Sequence, residues 1–233
     1  MLEYIIMEKN SHYKNSYDDR MYLKYFFDRI ISFLLILILL LPFIVIIVSI
    51  IIEGIIKNEY KRACFLLEKR ISQGRPFMIC KFNIACPGSL NIQNGEGIFL
   101  SYRRDLAEGE GYIVGELTPL GNFLKKWYLD ELPQLFNILA GHMTFVGPRP
   151  LPPPLFYKSL EHGMIAKKIL RAGVTGTVQM NKSFADLGNT QVYSSLEYEY
   201  LKNIDKLNAL EILCYDISII YKTFSVLLRG EGL

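Results

Sequence analysis

The chain has 233 residues, enough for one domain and an anchor. It is 51% hydrophobic, above the usual share for a plain soluble domain. Its 26 Lys and Arg nearly balance 23 Asp and Glu, a net charge of +3, which argues against a nucleic-acid partner. The four cysteines, Cys64, Cys80, Cys86 and Cys214, form no C-x-x-C pair, and His12, His142 and His162 are scattered. That spacing argues against zinc and reads as reduced, mostly buried thiols in a cytosol-facing protein.

Met1 to Arg20 is polar and Tyr-rich and reads as a loose or membrane-surface tail. From Ile30 to Ile52 there is no charge, only a nearly pure run of Ile, Leu, Val and Phe. At about 1.5 Å per residue this run is long enough to cross a bilayer core of about 30 Å. It is apolar on every face, unlike a surface helix, and no small-residue cleavage site follows it. Two geometries fit: a straight span, or a hairpin that enters and leaves on one face. Pro42 sits just past the middle and removes a backbone donor. Each arm around it reaches roughly 15–18 Å, half the hydrocarbon thickness. Lys14, Arg20, Lys24 and Arg29 precede the run, and Lys57, Lys61, Arg62, Lys69 and Arg70 follow it. Basic flanks mark the cytoplasmic side, and only a hairpin keeps both there. Proline also occurs in ordinary spans, so both geometries stand at this level.

Further on, Ile55 to Ile71 mixes apolar and basic residues and reads as a short interfacial segment. Pro76 to Ala85 is a predicted strand around Lys81, and Pro87 to Gly115 reads mainly as loop. Thr118-Pro119 predicts a helix start with Thr as N-cap. A second helix is predicted to begin near Asp130 and Glu131, with Pro133 in its first turn. Leu132, Leu135, Phe136 and Leu139 give its apolar stripe, and Gly141 its stop. A Pro-rich loop is expected from Pro148 to Pro154. Near the C-terminus, Leu207, Leu210, Leu213, Ile217, Ile220, Phe224 and Leu227 lie at helical spacing, read first as core packing, with membrane-surface docking as the alternative.

Asp130 and Glu131 are adjacent carboxylates at a predicted helix start, where free N–H groups and the helix dipole stabilise anions. Asp130 is then expected to be ionised, as a nucleophile must be, and Glu131 offers a hard oxygen to Mg²⁺. The competing reading is ordinary helix capping. Arg149 lies between Pro148 and Pro150, whose fixed angles hold a guanidinium fork suited to phosphate; the competing reading is a structural salt bridge. Arg171 leads into Ala172-Gly173-Val174-Thr175-Gly176-Thr177, a Gly-bearing loop able to approach a ligand closely.

Together, Leu129-Asp130-Glu131-Leu132-Pro133-Gln134-Leu135-Phe136-Asn137 and Gly141-His142-Met143-Thr144-Phe145-Val146-Gly147-Pro148-Arg149-Pro150 resemble the core of the monotopic phosphoglycosyl transferases. These bacterial sugar transferases start the assembly of capsule, O-antigen, exopolysaccharide or glycoprotein. The resemblance runs from about Lys24 to Arg229 and implies a small α/β membrane-associated fold with an N-terminal re-entrant hairpin and interfacial amphipathic helices. The expected organisation is a polar tail (1–20), a re-entrant hairpin kinked at Pro42 (21–56) and a cytosol-facing catalytic domain (57–233) on the bacterial inner membrane.

The resemblance also implies a reaction. Asp130 attacks the sugar-linked phosphate of a UDP-sugar and UMP leaves. An undecaprenyl-type polyprenyl phosphate then takes the phosphosugar. Glu131 would hold Mg²⁺, and Arg149, Lys81, Lys125 and Arg171 would meet phosphate. Asp28 matches the family's acidic residue before the anchor. This sequence departs from the family pattern at Tyr25, Leu41, Asn83, Lys125, His142, Thr144, Ala172, Val174, Thr177, Lys182 and Ser183. The departures leave open a non-catalytic membrane scaffold of the same family.

Overall fold

The computed structural model describes residues 2–57, 63–86, 117–161, 163–181 and 190–228, with side chains described from residue 20 in the first helix, from residue 195 in the penultimate one and up to residue 226 in the last. Helix α1 spans Leu2–Ile38 and α2 Leu40–Ile56. Strands β1 (Phe65–Ser72) and β2 (Arg75–Phe82) follow, then α3 (Pro119–Lys126), a 3₁₀ turn (Leu129–Glu131) and α4 (Gln134–Leu139). Beyond these lie β3 (Met143–Val146), α5 (Pro153–Glu161), α6 (Ala166–Ile169), β4 (Ala172–Thr175), α7 (Thr177–Met180), α8 (Thr190–Lys206) and α9 (Ala209–Leu228). The mixture of helices and small sheets is α/β. The chain divides into two compact units: Phe33–Lys69 with Met78–Asn137, and Met1–Ser32 with Arg70–Phe77 and Ile138–Leu233.

The segment expected as a loose or membrane-surface tail is not loose but helical from Leu2. No Pro or Gly occurs between Leu2 and Leu41, and extending an existing helix is far easier than nucleating one. The helix breaks at Leu39, and the Arg20–Ile38 and Leu40–Ile56 segments are bent by 62°. Pro42 is the third residue of α2, not the break itself. In an uninterrupted helix its ring would clash with the Ile38 carbonyl, so the chain turns before it. Its missing N–H then falls among first-turn donors that have no intrahelical partner. No single helix among the described residues is long and apolar enough to cross a membrane, but this bent pair passes that test together.

In the first unit, Phe43, Ile46, Ile50 and Gly54 form the buried stripe of α2. The Phe43 ring lies 5.6 Å from both Phe82 and Phe136, and Phe65 stacks on Phe82 at 5.5 Å. The rest of the α2 surface stays apolar and exposed, through Leu41, Ile44, Val45, Val48, Ile51, Ile52 and Ile55. The interfacial segment expected over Ile55–Ile71 ends instead in β1, where Leu66 and Glu68 are buried while Phe65 and Leu67 are exposed, a period of two. Gln73 and Gly74, which belong to the second unit, are both at positive φ (50° and 71°) and make the two-residue turn into β2. As predicted, Thr118 caps α3, accepting from the Gly121 N–H at 2.9 Å, with Pro119 at the first helical position. The predicted loop over Pro87–Gly115 lies outside the described residues.

In the second unit, β3 and β4 pair in parallel, with Met143 opposite Ala172, Thr144 opposite Gly173 and Val146 opposite Thr175. Parallel neighbours need a crossover, here supplied by α5 and α6. The Pro-rich loop is shorter than expected because Pro153 opens α5, a position that needs no N–H. Met21, Val146, Leu170, Tyr200, Leu201, Ile204, Ile212 and Ile219 form the core. Of the predicted stripe, Leu207 packs on the core, but in α9 most of it is turned outward: Leu210, Ile217, Ile220 and Phe224 are exposed, while Ile212, Asp216 and Ile219 are buried. Asp216 selects that face, because it pairs with Lys24 and accepts from the Tyr200 hydroxyl at 2.8 Å. A buried carboxylate must be satisfied, whereas an apolar stripe has other options. The cysteines are also less enclosed than expected: Cys64, Cys80 and Cys86 are partly buried and Cys214 is exposed.

Candidate active site

The 3₁₀ turn carries Asp130 and Glu131, so the expected α-helix does not start there. Tyr128 sits in the left-handed region (φ 55°, ψ 21°) and reverses the chain after α3. Pro133 has no N–H to give the Leu129 carbonyl, so the turn closes by shorter bonds. Glu131 N–H donates to Tyr128 C=O and Leu132 N–H to Leu129 C=O, each at 3.2 Å. Only from Gln134 does α-helix begin.

This turn brings together four of the residues singled out in the sequence. Lys125 Nζ, from α3, lies 3.6 Å from Asp130 Oδ2. Lys81 Nζ, from β2, lies 3.5 Å from Glu131 Oε1. Asp130 is 2% exposed, and burial pushes its carboxyl pKa upward, against the pull of Lys125. Glu131 adds to the upward push and Lys81 opposes it. The ionisation expected from a helix start is therefore contested by desolvation, and the two lysines are what favour the carboxylate. Asp130 Oδ1 is buried with no hydrogen-bond partner among the described residues.

Asn137 was part of the sequence motif but had no assigned role. Its side chain donates to Met78 C=O at 2.7 Å and accepts from Cys80 N–H at 2.9 Å. It thereby ties α4 to β2 beside Lys81. The signal was present: a side-chain amide set among Leu135, Phe136, Ile138 and Leu139 in a short helix needs partners.

Arg149 and Arg171 belong to the second unit. The Arg149 side chain is exposed, while its backbone is held by a buried pair, Lys167 and Glu197. Neither carried a local sequence signal, because the partners come together only through the fold. Arg171 is stacked on the Tyr25 ring, with its guanidinium carbon 3.9 Å from the centroid, a favourable cation–π geometry. The glycines after Arg171 serve backbone packing. Gly173 N–H donates to Pro148 C=O and Gly147 N–H to Thr175 C=O, each at 2.9 Å. A Cβ on Gly173 would stand 2.7 Å from Gly147 Cα and closer still to its nitrogen. The close approach inferred from this loop is therefore made to the Gly147-Pro148 backbone.

Thr177 is buried and donates to Leu196 C=O at 3.0 Å. His142 is exposed, its ring 5.9 Å from Phe77. Asp28 accepts from the Thr144 hydroxyl, and Lys182 lies outside the described residues. No cluster of three or more His, Cys, Asp or Glu that could hold a metal occurs among the described residues.

The family model described as bacterial sugar transferase matches residues 19–230. The chain belongs to that family. Among curated relatives, an Aeromonas hydrophila UDP-N-acetylgalactosamine-undecaprenyl-phosphate N-acetylgalactosaminephosphotransferase is 30% identical over 183 residues, covering 76% of this chain and 38% of the relative. The Salmonella typhimurium undecaprenyl-phosphate galactose phosphotransferase is 36% identical over 119 residues, 50% of this chain and 22% of its own length. A Klebsiella pneumoniae UDP-glucose:undecaprenyl-phosphate glucose-1-phosphate transferase is 31% identical over 158 residues, 66% and 30% respectively. The chain thus spans well under half the length of these relatives. For a bacterial sugar transferase, the buried Asp130 with its flanking lysines is the chemically most distinctive feature, since a carboxyl whose titration is moved by burial and by specific charged neighbours marks a candidate functional group.

Proposed function

We propose that this bacterial sugar transferase moves a sugar 1-phosphate from a UDP-sugar to undecaprenyl phosphate. The observation that carries the reading is the buried Asp130 beside Glu131, each carboxylate within 4 Å of a lysine. An Asp130 oxygen forms a bond to the sugar-linked phosphorus as the phosphorus–oxygen bond to UMP breaks, and UMP leaves with the electron pair. A lipid phosphate oxygen then bonds to the same phosphorus and releases Asp130 as a carboxylate. Lys125 and Lys81 favour the charged form before attack and offset the repulsion between carboxylate and diphosphate. Arg149, held between two prolines, offers a fork to phosphate oxygens.

Mg²⁺ fits this site: Asp130 Oδ1 is buried with no hydrogen-bond partner among the described residues, beside a second carboxylate, and Mg²⁺ takes one or two carboxylates plus phosphate and water. Glu131 would hold it, and when bound it supplies neutralisation of diphosphate charge.

We read α1 and α2 as a re-entrant hairpin in the inner membrane, with the chemistry on the cytoplasmic face. The bent apolar pair, basic residues on both flanks and the exposed apolar surface of α2 support that reading. Exposed Phe123 on α3 and Trp127 just past its end, with Lys126 over the Trp127 ring, suit a lipid interface, as does the outward apolar face of α9. The intact carboxylate–lysine pairs favour an enzyme over a non-catalytic scaffold.

Intact-protein mass spectrometry tests the mechanism. The purified chain is mixed with UDP-glucose, UDP-galactose or UDP-N-acetylgalactosamine without lipid acceptor. Wild type gains one sugar phosphate with its donor, and Asp130→Asn gains none. Turnover by Asp130→Asn, or an adduct on another residue, overturns it.

A further inference from the structure

We infer that the buried Lys167–Glu197 pair is a positioning device that fixes the direction in which the Arg149 guanidinium is presented to a phosphate. The inference rests on the reading of Arg149 as a phosphate ligand. Lys167 on α6 is 6% exposed and Glu197 on α8 is 3% exposed, and their charged ends are paired. Glu197 Oε1 also accepts the Arg149 N–H at 3.3 Å. Lys167 Nζ donates to the Arg149 carbonyl at 3.2 Å. The N–H belongs to the peptide before the Arg149 Cα and the carbonyl to the peptide after it. Holding both peptide planes fixes the direction of the Cα–Cβ bond, and so the cone from which the exposed guanidinium reaches out.

The neighbouring backbone is held in the same way. Lys24 Nζ donates to Val146 C=O at 3.0 Å, Thr175 C=O accepts the Gly147 N–H, and Gly173 N–H donates to Pro148 C=O. Every residue from Val146 to Arg149 thus has a backbone group pinned. Stability alone is a weak account of the Lys167–Glu197 pair. Buried ion pairs are often replaceable by apolar residues at no loss, and Glu197 Oε2 is buried with no hydrogen-bond partner among the described residues. What an apolar pair cannot do is hold both faces of the Arg149 backbone.

The test is a mutant cycle on the full chain in detergent, reading kcat/KM for UMP release with undecaprenyl phosphate. UDP-N-acetylgalactosamine, UDP-glucose and UDP-galactose are screened first, and the best donor is used. The Lys167→Met/Glu197→Leu double variant removes both backbone bonds while keeping apolar volume. Misplacement of a substrate-positioning group costs on the order of 10–100-fold, so that loss is expected, with the unfolding midpoint near wild type. In the Arg149→Lys background the same double change should cost less than about threefold, because a point charge has no fork to aim. Glu197→Gln, which keeps an acceptor for the Arg149 N–H, should recover part of the activity. If the double variant does not fold, Lys167→Met combined with Glu197→Gln carries the same cycle, with a smaller loss expected because one of the two backbone bonds is kept. Equal losses in both backgrounds would show a merely structural pair and overturn the inference, as would no loss with Arg149 present. Wild-type kinetics in Arg149→Lys would instead overturn the reading of Arg149 as a fork. Turnover of none of the donors would overturn the proposed reaction itself.

Discussion

Gly173→Ala places a methyl group where β4 meets the Gly147-Pro148 backbone. The new Cβ would lie 2.5 Å from the Thr175 oxygen and 2.7 Å from Gly147 Cα. All these atoms are backbone, so no side-chain rotation relieves the overlap, and the parallel pair must separate. Overpacking of this kind costs about 1–3 kcal/mol. Two hydrogen bonds are at risk, Gly147 N–H to Thr175 C=O and Gly173 N–H to Pro148 C=O, each worth about 1 kcal/mol net. Lower unfolded-chain entropy returns about 0.4–1 kcal/mol. The expected net loss is about 2–4 kcal/mol, serious against a typical total of about 5–15 kcal/mol. Urea unfolding of the detergent-solubilised protein measures it, with UMP release measured in parallel. Gly163→Ala is the comparison: it has φ of +79° but nothing within 4 Å of a new Cβ, so only about 1–2 kcal/mol of backbone strain is expected, with activity kept. The reasoning fails if Gly173→Ala unfolds within about 1 kcal/mol of wild type, or if its folded fraction keeps full kcat/KM despite a large loss of stability.

Asp130→Asn should be more stable than wild type at neutral pH. The folded Asp130 carboxyl titrates above its ordinary value of 3.8, chiefly through burial. Its stability contribution is therefore full below that ordinary value and lost as pH rises through the folded value. The advantage of the amide should appear at neutral pH and vanish below 3.8; melting curves at both pH values check it, and a less stable amide variant at pH 7 contradicts it. EDTA should abolish UMP release and Mg²⁺ restore it, whereas full activity in verified metal-free chelator would exclude the proposed role of Glu131. In intact cells, single cysteines introduced near Lys14 and Lys61 should label from the same face of the membrane; labelling from opposite faces would replace the hairpin by a straight span.

Local chemistry made much of this protein legible in its sequence. The Thr118-Pro119 start of α3 and the strand around Lys81 could be read directly, because cap, proline and alternation signals act over a few residues. The Asp130-Glu131 pair and the Pro148-Arg149-Pro150 loop were equally visible as motifs. Tertiary structure decided the rest. Pro133 and the left-handed Tyr128 turned an expected helix start into a 3₁₀ turn, and burial then pushed the Asp130 pKa up against the pull of its lysines. Asp216 chose which face of α9 is buried, since its partners are Lys24, 192 residues away, and Tyr200 on the preceding helix. Lys167 and Glu197 meet over thirty residues of sequence. Contacts of that kind leave no periodic or local trace, so only the folded chain reveals what they hold.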